Sequence, residues 1–87
     1  MAIDELERAS EELRAAADLT DGDERDRLEQ QAEHLANLAE SGADHGRLAR
    51  HANTLHELKS ATGADAGEHI DAAMEAISAY RETIEGV

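Results

Sequence analysis

Leucine or isoleucine recurs seven residues apart in four successive stretches, as Leu6 and Leu13, Leu28 and Leu35, Leu48 and Leu55, and then Ile70, Ile77 and Ile84. Seven residues are close to two helical turns, so each set stands on one face of a helix and marks the seam of packed, near-antiparallel helices. A further anchor follows three residues on in each stretch: Ala16, Leu38, Leu58 and Tyr80. Nothing in the chain opposes this pattern, since it holds no proline and 18 of its 87 residues are alanine.

Glycine-containing clusters separate the four stretches: Thr20-Asp21-Gly22-Asp23, Ser41-Gly42-Ala43-Asp44 and Thr62-Gly63-Ala64-Asp65. Each reads as a helix stop followed by a helix start. Gly42 and Gly63 stand where a left-handed C-terminal residue belongs, Asp44 and Asp65 where a side chain caps the next helix, and Asp21 with Glu24 has capping-box spacing. The expected helices are 4–19, 23–41, 44–62 and 66–85. Such short loops force successive helices antiparallel, so the expected fold is an all-α, up-down-up-down four-helix bundle forming a single domain over residues 1–87.

Reflecting positions about each loop predicts four layers. Leu6, Leu38, Leu48 and Tyr80 close one end. Ser10, Leu35, His51 and Ile77 come next, then Leu13, Gln31, Leu55 and Ala73, and finally Ala16 or Ala17 with Leu28, Leu58 and Ile70. A shift of 42 residues also lays the first half on the second, matching Leu6 with Leu48, Leu13 with Leu55 and Glu40 with Glu82. That is the mark of a duplicated hairpin, although a shift by a multiple of seven produces some of these matches through helical register alone.

Charge bounds the function. The chain has 21 Asp and Glu against 8 Lys and Arg, of which only Lys59 is lysine, and its formal net charge is -13. Such a surface repels itself in dilute buffer, whereas at about 1 M salt the Debye length falls to about 3 Å and the repulsion is screened. The composition therefore suits a cytoplasm holding molar KCl, and predicts marginal stability without salt. Direct nucleic-acid binding is opposed by the charge and by the lack of stacking aromatics beyond Tyr80. The N-terminal sequence carries acids where a signal peptide needs bases, and no stretch approaches about 20 apolar residues, so neither secretion nor membrane insertion is expected.

Sites of chemistry are scarce. Without cysteine there is no disulfide, thiolate metal site or cysteine nucleophile. Ser10, Ser41, Ser60 and Ser78 lack a placeable His-Asp arrangement, and no glycine-rich loop cradles phosphate, so no catalytic residues and no enzyme activity are expected. The five histidines His34, His45, His51, His56 and His69 invite a metal, but none has Glu three residues before it, as a bundle di-metal site requires. Asp21-Gly22-Asp23 suggests a calcium loop, yet with Gly22 as its sixth position Ala17, Leu19 and Leu28 fall where oxygen ligands belong. No metal and no cofactor are expected.

What remains is polar residues in core-facing slots. Gln31 and His51 each lie between an anchor three residues before and one four after, with Ser10 in the same layer as His51; they serve either to fix register or to form a ligand or metal site between helices. Tyr80 and Arg81 are the other candidates, for contact with a partner. The ending Ala-x-x-x-Ile-x-Ala-Tyr-Arg-Glu, from Ala73 to Glu82, together with the composition, resembles small, very acidic, all-helical haloarchaeal proteins of unknown function. The resemblance implies an archaeal cytoplasm with molar KCl and brings no catalytic residues. The function expected is a non-enzymatic protein-interaction or structural module, self-associating as a homodimer or binding an unknown protein. The alternative is a small-molecule or metal binding module using Gln31, His51 and Ser10. An acidic decoy competing with DNA for a basic protein is a third, weaker possibility resting on charge alone.

Overall fold

The computed structural model describes residues 2–42 and 44–83, and in them the periodic stretches become helices α1 (Ala2–Asp18), α2 (Gly22–Ser41), α3 (His45–Ala61) and α4 (Ala64–Glu82). The expected anchor Ile84 and the expected end of the last helix at residue 85 lie outside the described residues. α1 packs against both α2 and α4, α3 lies against α4 and, less extensively, α2, and the diagonal pairs do not meet among the described residues. This ring of sequential neighbours is the four-helix bundle expected from the loop lengths. Its radius of gyration, 12.0 Å, is what a compact chain of this length should have, about 12 Å.

Local signals account for most helix ends. Gly42 terminates α2 with φ 85°, a left-handed conformation that a Cβ would strain, and its N–H donates to Leu38 O at 2.7 Å. Asp44 then caps α3, its Oδ1 accepting from Arg47 N at 2.8 Å. The other two junctions differ from expectation. Gly63 is not left-handed: Thr62, with φ -114°, ends α3, and Gly63, with φ -74°, is the N-cap of α4. Thr62 leaves the helix in an extended conformation with its N–H and hydroxyl both directed at Lys59 O, so no left-handed residue is needed. α4 therefore begins at Ala64, and Asp65 falls within its first turn, where its charge suits the helix dipole. At the first junction Asp21 is the N-cap of α2 but makes no side-chain capping bond; Gly22 enters the helix at φ 67°, which turns the first N–H groups away from an ordinary capping geometry.

The expected layers are interior with three exceptions of degree. Leu6, Leu13, Ala16, Ala17, Leu28, Leu35, Leu38, Leu48, Leu55, Leu58, Ile70, Ala73 and Ile77 are buried, and so is Ser10. Tyr80 is partly buried against this core, and Gln31 and His51 are half-buried. The alanines are unevenly distributed. α1 buries Ala9, Ala16 and Ala17, α2 buries Ala32 and Ala39, and α4 buries Ala66, Ala73 and Ala76 with Gly67, whereas α3 buries only Leu48, Leu55 and Leu58.

Side-chain size sets the distance between helix axes. Small side chains bring α1 close to α2 and α4, and their lack keeps α3 further out. A 42-residue shift shows why the two halves are unlike: Ala9, Ala16 and Ala17 of α1 correspond to His51, Leu58 and Lys59 of α3. Whatever the origin of the repeat, its second half cannot reproduce the tight α1–α2 contact. α3 is joined to α4 instead by Lys59, whose Nζ lies 2.9 Å from Asp71 Oδ2 and whose stem runs beside Gly67. Replacing the fully buried Ala9 by leucine should therefore overfill the α1 interface and lower stability by about 1–3 kcal/mol, read as a reduced denaturant midpoint. An unchanged midpoint would show that α1 does not depend on small side chains for its position.

Candidate functional site

Polar side chains reach across helices at several places, and three of these hold the sequence candidates. The first is internal. Ser10 on α1 is 2% exposed and its hydroxyl donates to Ala32 O of α2 at 2.7 Å. Ser10 thus satisfies itself on the α2 backbone and does not reach Gln31 or His51, with which the layer pattern grouped it. The reason is the small α1–α2 spacing, which puts a helix carbonyl within reach of so short a side chain.

The second is the seam between α2 and α3. His51 Nδ1 lies 2.5 Å from Gln31 Oε1, so the ring nitrogen carries the proton and donates it to the amide carbonyl. The pair joins directly, although the layer pattern set the two in adjacent layers. That bond fixes the tautomer: in the neutral ring, Nε2 has the free lone pair. His34, one turn beyond Gln31 on α2, brings its ring near that of His51, with the two ring centroids 5.9 Å apart and the planes at 66°. His34 was among the histidines set aside because spacing within single helices offered it no partner; nothing in the sequence indicates that α3 delivers one. Burial lowers the His51 pKa below the usual 6.5, and the neighbouring His34 lowers it further by opposing a second positive charge.

The third place is the end of the bundle where α3 begins and α4 finishes. Arg81 Nε donates to His45 Nδ1 at 3.2 Å, which puts the His45 proton on Nε2, a buried atom with no partner among the described residues. Tyr80 is partly buried against the core, so its ring is not the freely exposed one that a partner contact would call for. Separately, His69 Nδ1 on α4 lies 2.7 Å from Glu12 Oε1 on α1, a contact that accounts for its half-buried position.

The surface depressions are open. One of 590 Å³ is lined by Arg14, Ala17, Asp18, Glu29 and Glu33; another of 330 Å³ by His45, Ser78, Arg81 and Glu82; a third of 150 Å³ by Glu7, Ser10, Glu11, Arg14 and Ala36. None of the three is lined by Gln31 or His51. Among the described residues no group of three or more metal-binding side chains comes together, and no helix is long and apolar enough to cross a membrane.

His51 links this site to stability. The unfolded chain protonates it near 6.5 while the folded chain resists until lower pH, so the contribution is fully present above 6.5 and is lost as pH falls through that value toward the folded pKa. Denaturant melts between about pH 7.5 and about pH 5 should show this loss in the native protein and a smaller one in His51→Leu. Parallel curves for the two proteins would mean that His51 is not held neutral by the fold.

The chain belongs to a family of unknown function (DUF7553), whose model matches residues 1–83. No curated protein and no solved structure matches it.

Proposed function

We propose that this protein is a non-enzymatic helical module that acts by protein–protein contact, including self-association, in an archaeal cytoplasm of high salt. The observation that carries the reading is how little chemistry the bundle presents among the described residues: the large apolar side chains are mainly interior, the three depressions are open, and their lining residues include no paired nucleophile and base. Leu19 is the exception to the closed core. It is 52% exposed at the turn after α1, close in sequence to Ala17 and Asp18 of the 590 Å³ depression, and supplies an apolar point for a contact otherwise made by charged side chains. A core built so largely from alanine also gains from further burial on association.

Sedimentation equilibrium in molar KCl should give twice the chain mass, and Leu19→Ser should shift the equilibrium toward monomer. A strict monomer that recovers no protein partner from its native extract would overturn the reading.

The high-salt setting is supported by charge. Twenty-one carboxylates meet eight Lys and Arg, and ion pairs such as Arg25 with Glu29, at 3.0 Å and half-exposed, offset little of the repulsion. Helicity by circular dichroism should rise between about 0.1 M and about 2 M KCl as carboxylates are screened and apolar burial strengthens. A fully helical, cooperatively melting protein at the lower concentration would remove the argument for halophily from stability.

A further inference from the structure

The seam between α2 and α3 is where this fold departs furthest from what packing alone would select. Gln31 and His51 stand between leucines in the heptad pattern, where another leucine would bury more apolar surface. Their mutual hydrogen bond accounts for Gln31 and for one nitrogen of His51. It does not account for His34, which belongs to no bond of that pair and yet brings its ring to 5.9 Å from the His51 ring.

Metal coordination accounts for both. A divalent ion held at about 2.0–2.1 Å by two imidazole nitrogens at a tetrahedral angle keeps the ring centroids about 5 Å apart. The observed separation exceeds this by less than about 1 Å, within reach of side-chain rotation by His34, which is exposed. The spacing rule that opposes a metal within any one helix does not bear on a pair drawn from two.

We propose that His34 of α2 and His51 of α3 together bind one divalent ion of the zinc, nickel or copper class, clipping the loosest helix pair of the bundle, with Gln31 as the positioning residue that orients His51. Two further features agree with this assignment. A metal-bound histidine characteristically donates its other N–H to a carbonyl or carboxylate, which is the role Gln31 Oε1 fills toward Nδ1, leaving the Nε2 lone pair for the ion. Two imidazoles without a thiolate suit this group of metals rather than calcium or magnesium, which prefer oxygen. The proposal goes beyond the interaction role and stands or falls independently of it.

The test is calorimetric titration of the chelator-stripped chain, carrying no polyhistidine tag, with zinc chloride and separately nickel chloride in molar KCl, where screening suppresses diffuse binding to carboxylates. The native chain should bind one ion saturably, and so should His56→Gln, which alters an exposed histidine of α3 away from the pair. His34→Gln and His51→Gln should lose that binding, while Gln31→Ala should weaken it about tenfold. His34→Gln is decisive because it leaves the Gln31–His51 bond in place, and its circular dichroism should match that of the native chain. A zinc-dependent rise in Tm should accompany binding and vanish in His34→Gln. No saturable binding by the native chain, or equal affinity in a folded His34→Gln, would overturn the proposal. Monomeric behaviour in sedimentation would leave it standing.

Discussion

The close approach of α1 to both its neighbours governs the rest of the molecule. Ala9, Ala16 and Ala17 put almost no side chain between α1 and the helices beside it, and Ala32, Ala39, Ala66, Ala73 and Ala76 answer from the other side. In a chain with no Phe or Trp, proximity of backbones replaces the volume that aromatic side chains would fill. It also places the Ser10 hydroxyl against an α2 carbonyl, so a serine enters the core without leaving an unmet hydrogen bond.

The same arrangement defines α3 by contrast. Its buried residues are all leucine, which hold its axis further out, and polar contacts attach it further, among them Lys59 to Asp71 and His45 to Arg81 of α4, and His51 to Gln31 of α2, with the His34 ring nearby. A helix attached in this way has fewer apolar contacts to lose on moving than α1 has. The polar seam therefore gathers side chains that titrate and coordinate at the place where the bundle is least tightly closed. For a protein whose other surfaces are mainly solvated carboxylate, that coincidence makes the seam the principal candidate site. Family membership adds no activity to this picture, so the chemistry of the seam carries the functional argument.

The heptad anchors, the absence of proline and the glycine clusters determine four helices, their approximate ends, the antiparallel order and nearly every buried leucine and isoleucine. These are legible because periodicity and capping act within a few residues of chain. The polar slots at Gln31 and His51 are legible for the same reason, since both interrupt a leucine seam. Tertiary structure decides what local rules do not reach. Thr62 rather than Gly63 ends α3, because Thr62 leaves the helix extended with its N–H and hydroxyl both on Lys59 O. Ser10 bonds to a helix backbone rather than to the polar pair, because the interhelical distance depends on alanines from several elements. Above all, His34 meets His51 only because α3 is set beside α2 in one particular register; the two stand seventeen residues apart, and their encounter depends on the packing of all four helices rather than on any pattern within one.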